Sequence, residues 1–139
     1  MTKRIVLLTV FLAAAAWSQQ GYVVVVQKGN TTAKLTRTQL RRMLMGEVAT
    51  WPGGEKFSVL FGPSGSASRA AALKEICGMS ESDFSKYTLQ SNFEGGGKPV
   101  PKSMPSDVAV RQFVQITHGA LGIVDAGAVD GNLKVLPIE

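Results

Sequence analysis

Ser64-Gly65-Ser66-Ala67-Ser68-Arg69 brings together residue types that bind a small oxyanion. Serine hydroxyls donate hydrogen bonds, and arginine offers a planar, permanently charged fork. The stretch follows an apolar run, Phe57-Ser58-Val59-Leu60-Phe61, and a turn, Gly62-Pro63. It leads into a helix-like segment, Ala70 to Cys77. A strand, a small-residue loop and a helix start present unpaired amides and the positive end of a helix dipole. Arg69 falls in the first turn, where a cation opposes that dipole, and no Asp or Glu neutralises the turn. A bound anion reconciles these features. The competing reading is structural, because Ser, Gly and Pro serve strand-to-helix turns for backbone reasons alone.

Other chemistries lack their residues. A nucleotide-binding G-x-x-x-x-G-K-[ST] loop needs a lysine that this turn does not have. A G-x-S-x-G nucleophile elbow needs glycine where Ser66 stands. The single histidine, His118, reads as a helix-end residue beside Gly119. One histidine, one cysteine and scattered carboxylates give no metal-ligand spacing, so no cofactor and no catalysis are expected. Asp125 and Asp130 read as turn residues, with a calcium-type site as the alternative. Cys77 lies on the apolar side of a helix and reads as a small buried hydrophobe. A second feature is a basic helix face, Arg37, Arg41 and Arg42, which reads as solvated or as a docking patch for an acidic partner.

The elements that position these residues alternate between strand and helix. Tyr22 to Val26 is a valine-rich run expected to be a strand buried on both faces. Thr36 with Gln39 fits a capping box opening a helix with Leu40, Met43 and Leu44 inward, ended by Gly46. Trp51-Pro52-Gly53-Gly54 is a turn, and Phe57 to Phe61 a strand. A helix over Arg69 to Cys77 is expected to turn Ala70, Leu73, Ile76 and Cys77 inward, with Gly78 as its C-cap. Ser80 caps a helix with a weak apolar face, and Gly95 to Pro101 reads as a mobile loop. Ser106 caps a helix over Asp107 to Thr117, with Ala109, Val110, Phe113, Val114 and Thr117 inward. Strands follow at Leu121 to Val124 and Leu133 to Leu136. The pattern implies an α/β fold with a mixed sheet flanked by helices. The Ser64 loop then sits at the carboxyl end of a strand, where open α/β sheets bind ligands.

The 139 residues carry 15 Lys and Arg against 10 Asp and Glu. Lys3 and Arg4, the apolar run Ile5 to Ala15 and Ala16-Trp17-Ser18 have the layout of a secretory signal peptide, residues 1–18. Residues 19–139 are then expected to form one domain, periplasmic or secreted and without a membrane anchor. Removing Lys3 and Arg4 leaves 13 basic residues against 10 acidic, a net of +3. That suits a small anion and argues against nucleic acid.

Three ordered motifs resemble the phosphate-binding periplasmic proteins of ABC importers. Leu35 to Gly46, followed by Trp51-Pro52, resembles the family's helix ending in hydrophobic-x-Gly before a tryptophan turn. Ser64-Gly65-Ser66 resembles its phosphate-binding S-G-[TS] turn, and Gly119 to Asp125 its late GAIGYV strand. The resemblance implies a single lobe of the type II periplasmic binding fold, as in a short subgroup of the family. It also implies phosphate, or a related oxyanion, bound by Ser64, Gly65 and Ser66, with Arg69 matching an arginine of short members. The arginine and acidic residue that precede the turn in full-length members are replaced by Leu60 to Pro63. The expected function is a non-catalytic, substrate-binding-like protein of ABC-transporter type. The alternative is an envelope interaction module in which a partner protein or a second copy covers the cleft.

Overall fold

The computed structural model describes residues 21–94, 99–129 and 131–139. The signal-peptide reading, Gly95 to Lys98 of the expected mobile loop, and Asp130 lie outside the described residues. Among the described residues, five strands form one sheet: β1 (Tyr22–Gln27), β2 (Ser58–Phe61), β3 (Lys102–Ser103), β4 (Ala120–Asp125) and β5 (Leu133–Val135). Their order is β3-β2-β4-β1-β5. β2 runs parallel to β3 and β4, whereas β1 is antiparallel to β4 and β5. The sheet is therefore mixed, as the alternation of elements implies.

Helices cover both faces, which explains why the inner strands are nearly continuous apolar runs. Val24 and Val26 of β1 face one core, with α1 (Arg37–Leu44), α2 (Ala67–Ala72) and α3 (Glu81–Phe93). Val25, between them, faces the other core against Val110 and Val114 of α4 (Asp107–Ile116). α4 packs so closely that β4 needs glycine at its centre. A Cβ on Gly122 would stand 2.7 Å from Val110 Cγ1 and 3.0 Å from Val114 Cγ2.

Local chemistry sets the helix starts. Gln39 N–H donates to Thr36 Oγ1 and Thr36 N–H to Gln39 Oε1, the reciprocal pair expected of a capping box. Ser80 and Ser106 accept from Asp83 and Ala109 N–H and open α3 and α4. Gly78 ends the second helix at φ +66. α3 buries only Phe84, in keeping with its weak apolar face.

Two readings are corrected. The second helix opens at Ala67, not Arg69, and continues past Ala72 as one wide π turn, Leu73–Cys77. Leu73, Ile76 and Cys77 face inward as expected, but the stripe continues through Ala72 to Arg69 and Ser68 and leaves Ala70 exposed. The short strand β3 carries no strand signal in the sequence, because prolines at 101 and 105 flank it with loop signals.

Candidate functional site

The Ser64 turn sits where β2 ends, at the carboxyl edge of two parallel strands. Ser66 N–H donates to the Pro63 carbonyl at 3.1 Å and closes the turn. Gly65 occupies it at φ +84, a region that side chains with a Cβ resist. Ser66 is the N-cap of α2, and its Oγ accepts from Arg69 N–H at 3.4 Å. Ser64, Gly65 and Ala67 are exposed and Ser66 is half-buried. Among the described residues, the amides of Gly65, Ala67 and Ser68 have no backbone acceptor. The turn thus holds amides at the exposed residues Gly65 and Ala67 that no backbone carbonyl accepts, with Ser64 and Ser66 adjacent in sequence.

The structure does not bring all six predicted residues to one surface. Ser68 is 3 % exposed and turned into the fold. Arg69 is 6 % exposed, and its guanidinium points inward. Its Nε lies 2.8 and 3.0 Å from the two Glu81 carboxylate oxygens. One terminal nitrogen donates to Ser103 Oγ and, at 3.4 Å, to the Gly62 carbonyl. The guanidinium carbon lies 4.9 Å from the centre of the Phe61 ring. Arg69 therefore ties the end of β2 to β3 and to the start of α3. The cation in the first helical turn is balanced by Glu81, twelve residues onward, without an anion.

Asp107, the first residue of α4, borders the turn. Its Oδ2 accepts from Asp125 N–H at 3.0 Å, joining α4 to the end of β4. Its Oδ1 is buried and has no hydrogen-bond partner among the described residues. A Cβ on Gly62 would lie 2.5 Å from that oxygen and 3.8 Å from Ser66 Oγ. Glycine at 62 lets the chain pass over the carboxylate. A carboxylate in this place follows from tertiary packing, so no sequence spacing signals it.

The remaining candidates are spread out. Arg37 donates to Glu75 at 2.8 Å, across to the second helix. Arg42 stands 3.8 Å from Glu47 with both side chains more than half exposed, a pair worth little. His118 stands at the helix end as expected, directly after Thr117, which is the C-cap of α4. It lies at the opposite end of the sheet, with Nε2 3.0 Å from Glu55 Oε1 and Nδ1 2.9 Å from Gln27 Oε1. Asp125 is a turn residue, accepting from Gly127 N–H. Cys77 is buried, and burial pushes its thiol up to about 11. Burial, with the carboxylate of Glu75 close by, also raises Tyr22 above the ordinary phenol value.

No family model and no curated protein matches the chain. Solved structures do. An ABC-type phosphate transport receptor from Vibrio cholerae superposes with a TM-score of 0.65 at 20% identity, over 85% of this chain and 46% of its own. A protein from Clostridium perfringens, crystallised with bound phosphate, gives 0.65 at 16% identity, over 85% of this chain and 44% of its own. PstS from Borrelia burgdorferi gives 0.62 at 14% identity, over 86% of this chain and 47% of its own. At such identities the likeness is one of fold. The chain spans less than half the length of these neighbours.

Proposed function

We propose that the protein is a non-catalytic binding protein that takes up a small oxyanion, phosphate foremost, at the Ser64–Ser66 turn. One observation carries the reading: at the carboxyl end of β2, the exposed residues Gly65 and Ala67 have amides without a backbone acceptor, and Ser64 and Ser66 adjoin them in sequence. The fold shared with a phosphate transport receptor and with a protein holding phosphate supports it. In this reading Arg69 is a positioning residue. It holds the Gly62 carbonyl and anchors the turn, while its charge is spent on Glu81. Recognition then rests on neutral donors in open solvent. The buried Asp107 carboxylate behind Gly62 works against a second negative charge. Both features keep affinity low, on the order of millimolar, because hydrogen bonds to an exposed anion gain little over water.

The neighbours are about twice as long, so a partner protein or a second copy is the natural cover for the open side of the turn. A periplasmic or secreted location, following the signal-peptide reading, belongs to the same proposal. Calorimetry with phosphate tests the site. Binding that weakens about tenfold in Ser64→Ala, for the loss of one charge-assisted hydrogen bond, supports it. Equal binding by wild type and Ser64→Ala would remove the turn from the account.

A further inference from the structure

We propose that the trough beside α1, from Trp51 to Lys102, docks a short, extended, acidic and aliphatic segment of a partner protein. The site is separate from the Ser64 turn and does not depend on the oxyanion reading.

Two cavities, of about 310 and 170 Å³, share Met43 as a common wall. The larger is floored by Trp51 and edged by Val48 and Arg42. The smaller is lined by Phe57, Val59, Val100 and Lys102. Met43 and Trp51 are 2 % and 3 % exposed and belong to the main core, so the floor is held rigidly. Two hollows parted by one side chain, each with apolar and polar walls, suit alternate side chains of an extended chain, about 7 Å apart. A single compact ligand would fill only one of them.

The trough exists because the sheet is left unfinished on this side. β3 pairs with β2 only at Leu60 and Phe61. Further back, the segment facing Phe57 to Val59 is Pro99-Val100-Pro101. Proline has no amide hydrogen, so this segment cannot extend the ladder, and it diverges from β2 instead of pairing. Ser58 N–H donates to Gly119 on the β4 side, so strand alternation turns the Val59 amide toward the trough.

Charge selects the occupant. Arg42 lines one hollow and Lys102 the other, and Lys56 lies next to Phe57. Among the described acids nearby, Glu55 is engaged by His118 at 3.0 Å. Glu47 makes only the loose 3.8 Å pair with Arg42, which a ligand carboxylate can displace. The basic side chains in the walls thus favour carboxylates, and Met43, Trp51, Phe57 and Val59 favour aliphatic side chains. The basic face seen in the sequence divides accordingly: Arg37 is tied to Glu75, and Arg42 serves the trough.

The test titrates the full, ¹⁵N-labelled chain with the capped pentapeptide Glu-Leu-Glu-Leu-Glu and, separately, with Lys-Leu-Lys-Leu-Lys. The proposal expects the acidic peptide to shift the amides of Met43, Val48 and Val59, and the basic peptide to bind at least about tenfold more weakly. Arg42→Glu combined with Lys102→Glu changes two exposed side chains and should reverse that preference with an unchanged thermal melt. Absence of shifts up to about 5 mM acidic peptide overturns the proposal. So does equal binding of both peptides, or a preference that survives the charge reversal. Shifts confined to Gly65–Ser68 overturn it as well, since the carboxylates would then be occupying the oxyanion turn.

Discussion

Arg69→Ala separates a structural arginine from a ligand-binding one. In the folded chain its guanidinium is almost wholly buried, against the Phe61 ring and the carboxylate of Glu81. Truncation strands Glu81, whose side chain keeps 30 % of its exposure, and removes donors from Gly62 and Ser103. Breaking a buried pair on one side costs about 3–5 kcal/mol, and water reaching Glu81 places this case near the lower end. Loss of the ring contact adds about 0.5–1 kcal/mol. The expected loss is therefore about 3–4 kcal/mol. For an m value of about 1.5 kcal/mol per M, the urea midpoint falls by roughly 2 M. Circular dichroism during urea unfolding reads it directly. In a double-mutant cycle, Glu81→Gln should recover part of the loss, with a coupling of about 1–3 kcal/mol. A variant that loses under about 1 kcal/mol of stability, yet loses phosphate binding tenfold, would refute the reasoning. Arg69 would then be a free ligand-binding group, and its inward geometry would not persist in solution.

Three further outcomes follow from the packing. Cys77 has a folded-state value near 11 against 9.0 for the free thiol, so the unfolded chain loses this proton first. Stability should fall as pH rises from 9 toward 11, by an amount on the order of 2 kcal/mol, and Cys77→Ala should flatten that slope in pH-dependent urea melts. Gly122→Ala drives a methyl to 2.7 Å from Val110 Cγ1 and should cost about 1–3 kcal/mol; Val110→Ala in the same chain should return part of it. Trp51→Phe deletes the 2.9 Å bond from Nε1–H to the Gly119 carbonyl and leaves that buried acceptor with only the longer 3.4 Å bond from Ser58 N–H. The expected loss is about 0.5–1.5 kcal/mol in thermal or urea unfolding.

The sequence was most legible where the signal is local. The Thr36–Gln39 capping box, the serine caps at 80 and 106 and the valine run of β1 all act through neighbours a few residues away. The placement of the Ser64 turn at the end of a strand was equally local. What escaped depends on distant partners. The direction of Arg69 is set by Glu81 and Ser103, which belong to other elements. The small residues Ser66 and Ala67 start α2 earlier than the apolar spacing indicates, and the added turn brings Ser68 and Arg69 onto its buried face. Asp107 reaches Gly62 only because α4 packs over the ends of β2 and β4. β3 has two residues and gains its identity solely from pairing with Leu60 and Phe61.

The central claim is that an oxyanion sits on the Ser64–Ser66 turn. Amide chemical shifts during a phosphate titration of the labelled chain test it most directly. The account predicts saturable shifts at Gly65, Ser66 and Ala67, with a midpoint on the order of millimolar, while His118 at the far end of the sheet stays still. No movement at those three amides up to about 10 mM phosphate would contradict it, as would shifts that never saturate or that spread evenly over the basic surface.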